Sequence, residues 1–110
     1  MAHFPIRGKW YDARVEVRDI IKEAVRVIRR RLPRRDAALF LFGSRAKSTD
    51  TEGSDIDIAI LGKRRVDGPL LSRIKEEVKA IPTLRRIDIV DLNGSDARFK
   101  KEVLSHAKAL

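Results

Sequence analysis

The stretch Ser54-Asp55-Ile56-Asp57-Ile58-Ala59-Ile60-Leu61 decides the fold, because acidic or small residues alternate with isoleucine over the length of one strand. Successive side chains of a strand point to opposite faces, so Ile56, Ile58 and Ile60 go one way and Asp55, Asp57 and Ala59 the other. The triplet Ile-Asp-Ile returns at positions 87 to 89, within a strand predicted from Arg86 to Leu92. If both strands bury their isoleucines against a common core, Asp57 and Asp88 emerge together on the open face.

Outward from these strands, Ala37 to Phe42 is a continuous apolar run ended by Gly43, which reads as a buried strand. A first helix is predicted from Tyr11 to about Leu32. Val17, Ile20, Ile21, Ala24, Val27 and Ile28 recur at helical spacing, Arg29-Arg30-Arg31 suit the negative helix end, and Pro33 stops it. Ser44 to Lys47 can open a short helix before a polar loop over Ser48 to Ser54. After a basic loop from Gly62 to Pro69, Leu70, Leu71, Ile74, Val78 and Ile81 form the stripe of a second long helix closed by Pro82. Asn93-Gly94-Ser95 turns and caps a last helix with Phe99, Val103, Leu104 and Ala107 on its buried side. The predicted class is α/β (α+β): a three-stranded mixed sheet with helices packed on one face, in the order α-β-(short α)-β-α-β-α.

A chain of 110 residues suits one domain over 1–110, with residues 1–10 as an N-terminal arm. It lacks cysteine, so disulfides and thiolate metal sites are excluded. No run suits a secretory signal or a membrane span, which makes a cytoplasmic chain the expectation. Its formal charge of +9 favours polyanionic partners, although pairs such as Lys22-Glu23 and Lys75-Glu76-Glu77 also suit a solvated helix surface. With 37% charged residues, a single Asn and no Gln, the composition resembles that of proteins that work at high temperature.

Three carboxylates on one small sheet surface repel one another unless a cation lies between them. Hard oxygen donors without cysteine or a histidine pair select Mg²⁺, with Mn²⁺ as the substitute, over zinc. Asp55 and Asp57, two residues apart, can bridge two ions of the kind that clamp an in-line displacement at phosphorus, and Asp88 can complete the ion that activates an acceptor hydroxyl. Taken singly, Asp55 reads as a turn residue after Gly53-Ser54, and Asp57 and Asp88 as solvent-facing positions on a half-exposed sheet; the metal reading comes from all three together. Asp91 falls on the isoleucine side at its strand's end and is expected to cap a turn. Gly43-Ser44 follows a strand and precedes a helix, so backbone N–H groups there can face a phosphate, with Arg45 or Lys47 beside the departing pyrophosphate; alone, the same residues describe a turn and an N-cap. Trp10 and Tyr11 suit a helix staple or a partner contact. His3 and His106 show no ligand spacing, and helix-end charge accounts for the Arg29 to Arg35 cluster.

Gly43-Ser44, ten intervening residues, Asp55-Ile56-Asp57 and a later strand acid at Asp88 together resemble the minimal nucleotidyltransferases of the DNA polymerase beta superfamily. That resemblance implies ATP as substrate, two magnesium ions, and transfer of a nucleotidyl group to a hydroxyl with release of pyrophosphate. Gly43, Ser44 and Arg45 then correspond to nucleotide-binding positions, and Asp55, Asp57 and Asp88 to metal ligands and catalytic residues. The small stand-alone members look like antitoxins, often paired with a HEPN-domain ribonuclease toxin that they silence by attaching AMP to a tyrosine. This chain lacks the second domain with which larger relatives hold their acceptor, which fits an acceptor delivered by a partner protein. Two other readings stay open: a toxin-binding antitoxin that acts by occlusion without catalysis, and nucleotidyl transfer to RNA or a small molecule. RNA is a less favoured partner than a HEPN toxin, a membrane is not expected, and oligomerisation is left open.

Overall fold

The computed structural model describes residues 17–43 and 55–110. Helix α1 spans Val17–Arg29, strand β1 Ala37–Phe42, β2 Ile56–Gly62, helix α2 Gly68–Lys79, β3 Ile87–Asp91, helix α3 Ala97–Leu104 and β4 Lys108–Ala109, with a turn of 3-10 helix at Leu92–Gly94. The expected start of the first helix, at residues 11–16, and the short helix at 44–47 lie outside the described residues. Among the described residues, no helix is long and apolar enough to cross a membrane.

The four strands lie in the order β3-β2-β1-β4. β2 runs parallel to β3 and antiparallel to β1, while β4 pairs antiparallel with the other edge of β1. The repeated triplet sets the β2–β3 register: Ile56 lies opposite Ile87, Asp57 opposite Asp88 and Ile58 opposite Ile89. A slip of one residue would turn all the isoleucines of one strand out of the core, which makes this alignment strongly preferred.

The main core is built where expected. Ile56, Ile58 and Ile60 are fully buried against Ile20, Ala24, Val27 and Ile28 of α1 and Ile74 and Val78 of α2. Asp67 caps α2 by accepting the Leu70 N–H at 3.4 Å, and Pro69 occupies its first turn, where no intrahelical N–H is needed. Beyond α1, Arg29 Nη1 donates to the carbonyls of Leu32 at 3.1 Å and Ala37 at 2.7 Å, tying the helix end to the start of β1. Two of the carbonyls at this helix-to-strand junction are thereby satisfied by a cation.

The structure keeps this three-stranded core and adds to it. α3 lies on the opposite sheet face, where Val103 packs with Ala59 and Leu92 in a second cluster bordered by Phe40, Phe42 and Val90. It ends at Leu104, earlier than its apolar residues suggested, and Phe99 and Leu104 are each 38% exposed. Its N-cap is Asp96, which accepts the Phe99 N–H at 2.8 Å, because Asn93 and Gly94 are used in the preceding 3-10 turn. Asn93 joins three elements: Nδ2 donates to the Gly62 carbonyl at 2.7 Å and Oδ1 accepts from Lys100 Nζ at 2.9 Å. After α3 the chain returns to β1, and the Leu110 N–H closes on the Leu39 carbonyl at 2.9 Å.

Candidate functional site

Strand alternation and register place the candidate acids. Asp57 is the second residue of β2, opposite Phe42 on one side and Asp88 on the other. Both Asp57 and Asp88 are partly buried, and Asp55 stands exposed just before β2. The sheet therefore brings Asp57 and Asp88 side by side on the face away from the main core, with Asp55 at the rim.

Gly43 explains how a turn and an acid can share this corner. Its φ of +77° lies in the left-handed region that favours glycine, and a Cβ there would fall 2.5 Å from Asp57 Oδ2. No side chain fits between the turn and the carboxylate. Ser44 and Arg45, the other expected nucleotide-binding residues, and Lys47 lie outside the described residues.

The electrostatics follow from the crowding. The Asp57 carboxyl is pushed above the ordinary range, first by burial and then by the charges of Asp88 and Asp55, while Arg86 opposes the rise. Arg86 Nε donates to Asp88 Oδ1 at 3.1 Å, across a gap that strand alternation leaves on one face. The shared face of Arg86 and Asp88 is visible in the sequence, but their pairing is not, since a residue's parity says nothing of its rotamer. Asp91 is 7% exposed and serves the backbone: it accepts the Val66 N–H at 2.7 Å and the Asn93 N–H at 3.1 Å. That agrees with a capping residue rather than a ligand.

Among the described residues, no three carboxylate or imidazole groups converge on one point as a complete protein cage. The donor set fits a different arrangement. Magnesium is commonly held by one or two carboxylates together with substrate phosphates and water, and Asp57 beside Asp88 supplies that pair of hard donors. Their mutual repulsion gives a cation something to relieve.

A small mixed sheet with a left-handed glycine turn against paired strand acids defines the nucleotidyltransferase class of fold. The chain belongs to the polymerase beta nucleotidyltransferase family, whose family model, "Polymerase beta, Nucleotidyltransferase", matches residues 33–110. Solved structures share the fold. A toxin–antitoxin structure with AMP-PNP is similar at a TM-score of 0.63 and 24% identity, over 86% of this chain and 72% of that one. A complex of a tri-AMPylated Shewanella oneidensis HEPN toxin with an MNT antitoxin gives a TM-score of 0.61 at 22% identity, over 84% of this chain and 69% of that one. A protein described as a candidate minimal nucleotidyltransferase gives 0.67 at 23% identity, over 90% of this chain and all of that one. A search of curated protein sequences finds no match.

Proposed function

We propose that this chain transfers AMP from ATP to a hydroxyl of a partner protein, a tyrosine of a HEPN-domain ribonuclease toxin, and acts as that toxin's antitoxin. The observation that carries the reading is the Asp57–Asp88 register pair packed against the Gly43 turn. Family membership supports the reaction class. The similar folds seen with AMP-PNP and with an AMPylated HEPN toxin support the donor and the acceptor.

In this reading Asp57 and Asp88 would hold magnesium together with the substrate's phosphates, Asp55 would join them from the rim, and Gly43, Ser44 and Arg45 would receive the triphosphate. Bound magnesium would neutralise phosphate charge and align the attacking and leaving oxygens. The acceptor oxygen bonds to the α-phosphorus as the bond to the bridging oxygen breaks, pyrophosphate departs, and the hydroxyl proton passes to a carboxylate of the pair. Gly43, lacking a side chain, leaves the phosphate tail free to approach the turn, and Arg86 keeps Asp88 oriented before substrate arrives.

The test incubates the intact chain with a HEPN-domain ribonuclease, ATP labelled on the α-phosphate, and magnesium. Label is expected on the toxin, with loss of its ribonuclease activity, and Asp57→Asn is expected to abolish both. An unlabelled toxin, or equal labelling by the variant, counts against transfer. Inhibition retained by Asp55→Asn/Asp57→Asn without labelling would assign the antitoxin effect to occlusion.

A further inference from the structure

A cleft of about 360 Å³ opens between the C-terminal end of α2 and the start of β3, lined by Lys79, Thr83, Arg85, Arg86, Ile87 and Asp88 among others. We propose that this cleft seats the acceptor, and that the acceptor is an acidic peptide segment bound in extended form along the outer edge of β3. The proposal rests on the transferase reading and names its acceptor class.

Position is the first argument. Asp88 belongs both to this cleft and to the register pair with Asp57, so a hydroxyl carried by a chain in the cleft arrives beside the paired carboxylates. Charge is the second. Among the described residues three cations line the cleft against one carboxylate, and of these only Arg86 is engaged, by Asp88 at 3.1 Å. Arg85 Nη1 has no acceptor among the described residues, and the Arg85 backbone N–H is taken up by Thr83 Oγ1 at 3.2 Å. Arg85 also lines the open cleft, where the rest of its guanidinium fork can meet a carboxylate. Lys79, on the exposed last turn of α2, adds a second cation at the rim.

The strand edge decides between peptide and nucleic acid. β3 is the outermost strand of the sheet, and among the described residues no strand pairs with its outer side. An unpaired edge offers backbone donors and acceptors at the spacing of an extended polypeptide, which a nucleotide strand cannot use. Leu84, 87% exposed just ahead of the edge, offers an apolar contact for such a segment. The larger concentration of cations that an RNA backbone would seek, around Arg35, Lys63, Arg64 and Arg65, lies at the opposite ends of β1 and β2.

The experiment measures binding by fluorescence anisotropy of three labelled probes on the intact chain: a Tyr peptide flanked by Asp and Glu, the same peptide flanked by Lys, and a short oligouridylate. The acidic peptide is expected to bind about tenfold more tightly than the basic one, and both Lys79→Glu and Arg85→Ala should weaken it about fivefold or more. At about 150 mM salt, Lys63→Glu, at the far end, should change it less than about twofold. No acidic-peptide binding, equal affinity for both peptides, or indifference to Lys79→Glu overturns the proposal, as does an oligouridylate that binds more tightly and is the probe weakened by Lys79→Glu. Should Arg85→Ala fail to fold, the exposed Lys79→Glu variant still decides. Calorimetry of magnesium-ATP binding on the same samples tests the transferase reading separately, since peptide docking at β3 does not require a nucleotide.

Discussion

Asp57 sits where burial and two neighbouring carboxylates all favour its neutral form. A carboxyl raised in the folded state contributes stability that is fully present below its unfolded pKa and is lost as pH rises through the folded value. In chelator, Asp57→Asn should therefore stabilise the fold at pH 7 and have little effect well below the ordinary aspartate range, as read from urea midpoints at the two pH values. Magnesium with ATP should reverse the comparison at pH 7, stabilising the natural chain by about 2.7 kcal/mol at a hundredfold excess over Kd and leaving the variant unmoved. Glu77 provides a contrast of opposite sign. Arg31 donates to both of its oxygens, at 3.0 and 2.7 Å, and holds its carboxyl below the usual range, so its contribution is present above the unfolded pKa and is lost as pH falls through the folded one. Glu77→Gln should remove that acid-side slope and leave the Asp57 effect intact. Gly43→Ala tests the turn itself. It places a Cβ into Asp57 Oδ2 at positive φ and should cost about 1–2 kcal/mol or more, with transfer lost. Gly68→Ala, with open space around it, is the control and should leave stability unchanged or slightly higher.

At the scale of elements, the repeated Ile-Asp-Ile triplets carry most of the fold. Ile58→Ala removes a fully buried β2 side chain from the core cluster shared with α1 and α2 and should lower stability by about 2–5 kcal/mol, seen as a lower denaturant midpoint. β4 carries a subtler load. Its pairing covers one edge of β1 at Phe40 and Leu41, and Leu110 packs against the main core. Deleting Lys108 to Leu110 should destabilise the fold modestly and promote concentration-dependent association through the bared edge, measurable by light scattering. β1, β2, β3 and their helices were legible in the sequence because burial forces a period, and the isoleucine period alone put Asp57 next to Asp88. β4 was not, since Lys108-Ala109 is too short to alternate. The face chosen by α3 was also hidden, because its single deeply buried residue, Val103, packs on Ala59 rather than on an isoleucine. For the site, the sequence exposed the acids and the glycine turn. The Arg86–Asp88 pair and the Arg85 nitrogen that has no acceptor among the described residues depend on rotamers that no spacing encodes.

Among the described residues, a basic cluster lies at the far end of the strands from the candidate acids. The Gly43 turn and the acids occupy one end of β1 and β2, while Lys63, Arg64 and Arg65 follow the other end. Asp57 and Lys63 are six residues apart, so at about 3.4 Å per residue the separation is roughly 20 Å, more than two Debye lengths at physiological ionic strength. The +9 charge of the chain can therefore draw a triphosphate from a distance in dilute salt without touching the transfer step. Lys63→Glu/Arg64→Glu removes four units of that charge and leaves Asp57, Asp88 and the β3 cleft in place. In stopped-flow binding with a fluorescent ATP analogue, the variant should associate several-fold more slowly than the natural chain at about 10 mM salt, and the two should converge at about 150 mM. Dissociation rates should match at both. A variant that instead loses nucleotide more quickly at every salt concentration would place part of the binding surface at the basic end, and the long-range account of the net charge would fail.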